Sequence, residues 1–590
     1  MDCRLPELSL PARFIEHKSP DVFSSKSIHP SDNNLKFTLI KTASFALQIF
    51  LFLGSLFLLI PILRQLILLV LPKEFSQERQ IFVQKIEERK IEVLSRTFDE
   101  FKALSCQDLE GLEEDSKFET ELKRLFKCLE KKENSLKIQH SLKKIYETKS
   151  YREMMESSVK HPLLTLFHRL GTALRTDVIG MDILREYGKT ILEKGNLPDF
   201  KDREITWHEM GNFMVETFNN RSSPSFDTPL EMGFFLLQDL SLLFSAPKIV
   251  GLFGSSVEDF NPYERGNFNL ATLDYIFGDQ TERKVRFFHG PGPGITSDRM
   301  LSLQLDSLKA NENGLHLQHS MENYNKPGER QRLHQLKTFE ENSKDKMRLF
   351  LTPVDGDIWH MKSDYANWSS ASQFLAKYKQ AAIRGESDQK GYRTLFDPSN
   401  LPKESFYIGK DVMSDEQFES GFDLAADIFD EASLLQNPYW NEMISKGNEG
   451  KRILAKGLQV FVQALTSIGA MAKLAKDGEG QEGPLTFGQA CMEDIDRGAA
   501  VNVATRLLMM RLSGQKIKAS ELSEIIGTII GRAELSSGRR IMKDRFEGLA
   551  SFIFLVGSHP EEKVDESLKA HFKKMFFDNE EFSASIASLN

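Results

Sequence analysis

Cysteine is scarce in this chain. Its 590 residues contain four, Cys3, Cys106, Cys128 and Cys491, which are widely separated. Separated cysteines give neither the close pairs of a zinc site nor the density of a disulfide framework. We therefore predict no metal site and no cofactor. The same scarcity predicts that the large domain works in a reducing compartment, the cytosol.

Long tracts of one charge are absent as well. The chain carries 76 Lys and Arg against 85 Asp and Glu, a net charge of −9 that is spread thinly. There is no long basic tract and no basic stripe interleaved with aromatic residues, which are the usual signs of nucleic-acid binding. Nucleic acid is therefore excluded as an expected partner.

One segment lacks charge altogether. Residues Thr42 to Leu63 read TASFALQIFLFLGSLFLLIPIL. A helix of this length reaches about 33 Å, enough to cross a hydrocarbon core of about 30 Å. The sequence therefore predicts a membrane anchor within residues 37–72, with the lipid bilayer as partner. Basic residues are more frequent after the segment than before it, which favours a cytosolic C-terminal part.

The form of this anchor has alternatives. A second apolar run, Leu66 to Leu71, follows Arg64 and Gln65. A single span over 42–63 is the simpler interpretation, and Arg64 can then extend to the lipid headgroups. Two short helices that turn at Gly54 and Ser55 would instead form a hairpin. A buried core helix is the third possibility, although such helices rarely stay apolar on every face.

The remaining chain divides by composition. Residues 1–36 combine several prolines with many Ser and Asp and predict a disordered tail. Residues 73–158 are highly charged, with apolar residues at helical spacing, and predict a helical neck. The neck could present a coiled-coil surface to protein partners, or its helices could simply pack together within the chain.

Residues 159–590 have the pattern of a helix-rich globular region of α/β or α+β class. Short apolar runs that stop at glycine predict strands at Lys248–Gly254 and Lys284–Gly290. Apolar residues at helical spacing predict a larger set of helices. These lie at Glu231–Leu243, Met300–Ala310, Glu416–Leu434, Ile453–Lys476 and Ala499–Leu512.

The clearest chemical signal is the segment FGQACMEDIDRGAAVNVATRLL, residues 487–508. Cys491 and Arg497 are separated by five residues, and a predicted helix follows them. A loop that runs into a helix N-terminus directs backbone N–H groups at a bound phosphate. The same positive field favours the thiolate form of Cys491, which could attack phosphorus, while Arg497 would bind two phosphoryl oxygens.

The segment CMEDIDR resembles the loop of Sac-type phosphoinositide phosphatases, which runs Cys-x-Asp-Cys-x-Asp-Arg-Thr. Myotubularin-type lipid phosphatases are similar at the same positions. The shared positions are Cys491, Met492, Glu493, Ile495, Asp496 and Arg497. The resemblance implies a cysteine phosphatase for phosphoinositides or another phosphomonoester, in which Arg497 and Gly498 bind the phosphate and Asp496 is a general acid. Gly498 is itself a departure, because the family has Thr or Ser there.

Two other segments are candidates for the same site. In TPVDGDIWH, Asp355 and Asp357 could supply the general acid from a loop tip that Trp359 covers on closing. In HGPGPG, His289 could donate a hydrogen bond to a phosphate or lipid headgroup. The alternatives are an ordinary surface turn for the first segment and a rigid connector for the second.

The order of tail, anchor and soluble C-terminal region resembles the layout of inclusion membrane proteins of chlamydial type. That layout implies an effector-like protein whose soluble domain reaches membrane phosphoinositides from a cytosol. Three alternatives remain open. The loop could be a structural turn in which Asp494 or Asp496 caps the helix and Cys491 is buried. The domain could be an inactive phosphatase, or the chain a non-enzymatic scaffold that recruits proteins through its neck.

Overall fold

A computed structural model of the protein describes most of the chain from Lys73 onward. The predicted tail and anchor, the strand at 248–254, the helices at 231–243 and 300–310, and Asp357 lie outside the described residues. The described residues are 73–103, 116–131, 135–146, 148–156, 163, 166–167, 170, 181–194, 203–220, 270–278, 284–289, 315–323, 327–342, 347–354, 358–361, 363–383, 406–409, 411–477, 485–491, 496–537, 540–578 and 582–588.

The strands of the described residues form a central mixed sheet. Its order is β6-β5-β4-β7-β3-β2-β9, and β1 pairs separately with β8. The strands are β1 (Glu204–Ile205), β2 (Leu270–Phe277), β3 (Lys284–His289), β4 (His316–Ser320), β5 (Met347–Leu351), β6 (Tyr407–Ile408), β7 (Leu485–Ala490), β8 (Ile517–Lys518) and β9 (Ala584–Ser588). β5, β4, β7 and β3 are parallel, whereas β6, β2 and β9 pair antiparallel. The carboxyl ends of the four parallel strands therefore meet at one edge.

Helices make up most of the described chain, which gives a helix-rich mixed α/β fold. They are α1 (Lys73–Lys102), α2 (Ser116–Glu130), α3 (Ser135–Tyr146), α4 (Lys149–Glu156), α5 (Met181–Lys194), α6 (Trp207–Asn220), α7 (Pro327–Asn342), α8 (Ala371–Ile383), α9 (Asp415–Ile428), α10 (Glu431–Leu435), α11 (Pro438–Ser445), α12 (Gly447–Asp477), α13 (Arg497–Ser513), α14 (Ala519–Ile526), α15 (Arg532–Ser537), α16 (Lys543–Gly557) and α17 (Glu561–Phe576). A short π-helical segment, Gly527–Gly531, joins α14 to α15.

The core helix is α12. By length and composition it is the one helix of the described residues that could cross a membrane. Of its most apolar stretch, however, 94% is buried inside the protein, where α12 packs against α13, α16 and the sheet. Burial of this extent explains why the helix is apolar on most faces. The span predicted at 42–63 lies outside the described residues and stays a prediction.

The first helix of the predicted neck packs against the globular region. Phe82 and Ile86 of α1 belong to the main hydrophobic core, and the Arg79 Nε donates to the Glu534 carbonyl at 2.8 Å. Helices α2, α3 and α4 bury their apolar faces in a second, smaller cluster. The described residues of this stretch are thus mainly helical, and α1 packs against the part of the protein that carries the candidate site, whereas a neck as such stays a prediction.

Glycine permits one very close helix crossing, between α5 and α14. A Cβ placed on Gly188 would lie 1.9 Å from the Ser523 carbonyl oxygen.

We expect Gly188→Ala to destabilise the protein by about 1–3 kcal/mol, because the backbones of α5 and α14 must separate. Gly421→Ala is the matched control in α9, where the nearest atom, on Leu465, is 3.5 Å away. It should stabilise by about 0.5–1 kcal/mol through helix propensity. Urea unfolding measures both, and equal midpoints would contradict the close crossing.

Candidate active site

The neighbouring strands β4 and β7 create a crevice at their carboxyl ends. After β4 the chain continues to β5, which lies on the side of β4 away from β7. After β7 the chain continues through α13 and later forms β9, the edge strand at the opposite end of the sheet. In open α/β sheets, ligands bind where two parallel strands diverge in this way. Cys491 follows the last residue of β7, so the topology places it at such a point.

The two ends of the predicted loop are described, whereas residues 492–495 lie outside the described part of the chain. Cys491 is buried, with 6% exposure, and α13 begins at Arg497, with Gly498 as its second residue. Asp496 occupies the N-cap position, but its side chain makes no capping bond. Its Oδ1 instead accepts the Met542 backbone N–H at 2.9 Å. Asp496 thus connects the start of α13 to the start of α16. The sequence predicted a different role for Asp496, that of a general acid.

Arg497 points into the protein and binds a carboxylate. Its Nη1 and Nη2 donate to the two carboxylate oxygens of Glu329 at 3.0 and 3.1 Å, and Nη1 also donates to the Met321 carbonyl at 3.1 Å. Both side chains of the pair are 13% exposed. Burial lowers the pKa of Arg497, but the charges of Glu329 and then Cys491 outweigh it and raise the pKa above its ordinary value. The thiol is therefore within electrostatic reach of this guanidinium.

A second guanidinium, that of Arg545 on α16, lies in the same region. It is buried and sits 4.7 Å from the centre of the Trp359 ring, with Nη1 3.2 Å from Asp544 Oδ2. Burial lowers the pKa of Arg545 to about 10, and the charges of Asp544, Asp496 and Cys491 oppose that shift.

Lys456 of α12 is a third buried cation, and it also lies near Trp359. Its Nζ lies 5.7 Å from the Trp359 ring centre and 3.6 Å from Glu547 Oε2. Burial lowers the pKa of Lys456 to about 8, although Asp544 raises it. Trp359 is itself fully buried and donates from Nε1 to Asp544 at 3.1 Å. In this structure Trp359 is a buried side chain close to both cations, and its role as a cover that closes stays a prediction.

Carboxylates balance these cations. Within the described residues, four carboxylates act on the two guanidinium groups, from Glu322, Glu329, Asp496 and Asp544. A bound phosphate would therefore compete with Glu329 for the fork of Arg497. No group of three His, Cys, Asp or Glu side chains in the described ranges could hold a metal ion.

A buried polar layer surrounds Gln489, two residues before Cys491. Gln489 of β7 pairs with His319 of β4 in the sheet, and its Nε2 lies 3.0 Å from His319 Nδ1 and 2.9 Å from Ser467 Oγ. The Gln489 Oε1 lies 3.2 Å from Thr505 Oγ1. His319 Nε2 lies 2.6 Å from Thr352 Oγ1. All five side chains are buried, and burial lowers the pKa of His319 to about 3.

The opposite face of β4 carries a second buried histidine. His316 Nε2 lies 3.1 Å from Gln318 Oε1, and its Nδ1 lies 3.0 Å from Thr486 Oγ1. The amide oxygen can only accept, so Nε2 carries the proton and Nδ1 accepts from the threonine. Burial lowers the pKa of His316 to about 4. Both histidines of β4 are therefore neutral, structural side chains.

The other predicted site residues are placed only in part. His289 ends β3, which runs parallel to β7 with Phe288 opposite Gly488, so its backbone lies at the same edge as Cys491. Its side chain and the whole of Asp357 lie outside the described residues. The structure thus brings together Cys491, Asp496, Arg497 and Gly498, and the roles of all six residues stay predictions.

Glu329 and Arg545 were not predicted from the sequence. Each is far from the CMEDIDR segment in the chain and has no spacing that marks it. Glu329 lies in the first turn of α7, where acidic residues are common. Its position in the sequence therefore does not indicate that it binds Arg497.

By its fold the described chain is a mixed α/β protein with a cysteine and two arginines at the carboxyl edge of its parallel strands. Comparison of the chain with protein-family models, with curated proteins and with solved structures finds no match to any of them.

Proposed function

We propose that the chain is a membrane-anchored, cysteine-dependent phosphatase-like protein that acts on phosphoinositides or another phosphomonoester. The observation that carries the proposal is the position of Cys491 directly after β7, at the divergence point of β4 and β7, with Arg497 as the first residue of α13. The start of α13 at Arg497 supports the proposal, because the CMEDIDR resemblance implies a helix directly after the loop.

The proposed reaction has two steps. The Cys491 thiolate attacks phosphorus, a P–S bond forms, and the bond from phosphorus to the alcohol oxygen breaks. A general acid, Asp496 or Asp357, gives its proton to the departing oxygen. Water then attacks the phosphocysteine and returns a proton to the same carboxylate, the P–S bond breaks, inorganic phosphate leaves, and the thiolate is restored. The guanidinium of Arg497 would exchange Glu329 for the phosphoryl oxygens as charge accumulates on them.

The anchor gives this proposal its location. The apolar segment 42–63 would hold the domain at a membrane surface, with the large C-terminal part in a reducing cytosol, where phosphoinositide headgroups are within reach. In that setting the protein would be effector-like, and the neck could recruit protein partners.

Substitution of the cysteine tests the activity. We expect full-length protein in detergent micelles to release phosphate from a panel of short-chain phosphoinositides, and Cys491→Ser to abolish that release. The matched control is Cys128→Ser, which removes a half-buried cysteine of α2 far along the chain from the site. Phosphate release that survives in Cys491→Ser would rule out the proposed nucleophile.

One observation favours a second function, that of a non-enzymatic membrane scaffold. The fork of Arg497 is already occupied by Glu329, and four carboxylates surround the two guanidinium groups. A scaffold needs this pair only to fix α7 against α13. It would show no phosphate release from any member of the panel, in the wild type or in either variant.

A further inference from the structure

The buried polar layer around Gln489 joins β7 and α13, the two elements that flank residues 492–495 in the sequence. Gln489 precedes Cys491 by two residues, and α13 follows the loop. The Asn502 Nδ2 donates to the Gln489 carbonyl at 3.1 Å, and Thr505 Oγ1 lies 3.2 Å from the Gln489 Oε1. Asn502 and Thr505 are three residues apart, so they share one helix face. The strand and the helix are thus connected by two directional bonds to one residue.

As the structure orients the Gln489 amide, its hydrogen-bond donors and acceptors match those of its neighbours. Its Nε2 carries two protons and donates them to His319 Nδ1 and Ser467 Oγ. His319 is then protonated on Nε2, which donates to Thr352 Oγ1. With its nitrogen held by β4 and α12, the amide must direct Oε1 toward Thr505. The side-chain orientation of Gln489 is therefore fixed from both sides.

We propose that Gln489 is the centre of a clamp, formed with Asn502 and Thr505, that positions Cys491 at the end of β7 relative to the start of α13. The proposal rests on the proposed function only in its consequence for catalysis. Apolar side chains would fill this space without the cost of desolvating five polar groups. What hydrogen bonds add is direction, because they set one register between β7 and α13. Gln489 and its partners are positioning residues, since they act on the loop and not on a substrate.

Comparison of Thr505 with Thr466 distinguishes this positioning role from simple packing. The Thr505 hydroxyl lies 2.8 Å from the Val501 carbonyl as well as 3.2 Å from Gln489. The Thr466 hydroxyl of α12 is also buried and lies 2.8 Å from the Val462 carbonyl. Thr505→Val and Thr466→Val therefore remove the same kind of helix contact, but only the first removes a bond of the clamp. Thr505→Ser keeps the hydroxyl and is the rescue variant.

The test is the rate at which iodoacetamide alkylates Cys491 in full-length protein, followed by mass spectrometry of its peptide. We expect Thr505→Val to speed this reaction about tenfold, the factor that loss of one buried hydrogen bond supports. Thr466→Val and Thr505→Ser should react at nearly the wild-type rate. Alkylation of Cys128 in the same sample corrects for global unfolding.

The outcomes of this test decide the two proposals separately. Equal alkylation of Thr505→Val and Thr466→Val, or faster alkylation of Thr505→Ser, would overturn the clamp. If the wild type releases phosphate, Thr505→Val should lower kcat and leave KM nearly unchanged, because the loop and not the substrate contact is altered. If the wild type releases none while the alkylation pattern is as expected, the clamp stands and the phosphatase proposal fails.

Discussion

Mild acid should destabilise the folded protein steeply, at about 1.4 kcal/mol per pH unit for each of His316 and His319. Burial lowers their folded-state pKa values from 6.5 to about 4 and about 3. Below pH 6.5 these two histidines therefore bind protons in the unfolded chain but stay neutral in the folded chain. The stability that the two neutral histidines contribute is complete above pH 6.5, and it is lost as the pH falls toward 4.

Hydrogen bonding explains why the folded state does not accept the proton. A second proton on His319 would place an N–H of Nδ1 against the Nε2 amide group of Gln489, which lies 3.0 Å away. In the same way, a proton on Nδ1 of His316 would require Thr486 to turn its hydroxyl and become an acceptor. Protonation therefore costs both desolvation and a hydrogen bond.

Urea midpoints between pH 7 and pH 4.5 measure this effect. We expect His319→Gln to be less stable at pH 7 but to show a slope against pH that is smaller by about 1.4 kcal/mol per unit. The control is His140→Gln, which replaces an exposed histidine of α3 and should keep the wild-type slope. A slope in His319→Gln that equals that of the wild type would show that His319 is protonated as readily in the folded chain.

The second large effect concerns the pair of Arg497 and Glu329. We expect Arg497→Met to cost about 3–5 kcal/mol, because it leaves a carboxylate buried without its cation. The double variant Arg497→Met with Glu329→Gln removes both charges and should recover more than half of the loss. Glutamine keeps an oxygen for the backbone N–H of Asn323, which Glu329 accepts in the wild type. Urea unfolding at pH 7 gives the three free energies.

An exposed pair with the same geometry provides the control. Arg89 of α1 also binds both oxygens of a carboxylate, that of Asp182 in α5, but these side chains are 36% and 58% exposed. Arg89→Met should cost less than about 1 kcal/mol, because water replaces the lost partner. Equal losses in Arg89→Met and Arg497→Met would contradict the view that burial makes the Glu329 pair costly to break.

Local patterns in the sequence predicted the elements nearest the site well. The predicted strand Lys284–Gly290 is β3, Lys284–His289, and the predicted helix Ala499–Leu512 is α13, Arg497–Ser513. Both are short segments whose apolar spacing and flanking glycines are local properties. The helix that follows Cys491 could therefore be inferred without a structure, whereas the strand that precedes it, β7, was not predicted.

Features that depend on distant contacts could not be inferred. The single helix predicted at Glu416–Leu434 is divided into α9 and α10, because Asp430 caps the second helix through the Ser433 backbone N–H at 2.8 Å. Asp430 is held there by Lys563, far along the chain. Glu329, Arg545 and the Gln489 clamp depend in the same way on which strands become neighbours. Nothing in the residues around Cys491 specifies that.

The place of β7 in the sheet affects how the protein is made. Lying between β3 and β4, it is the last of the parallel strands to leave the ribosome, because it begins at Leu485. Until then the nascent chain holds β3 and β4 with unpaired edges, a condition that favours association with other chains. Any chain that ends before Leu485 keeps those edges. Such truncated forms should collect in aggregates or on chaperones, whatever function the finished protein performs.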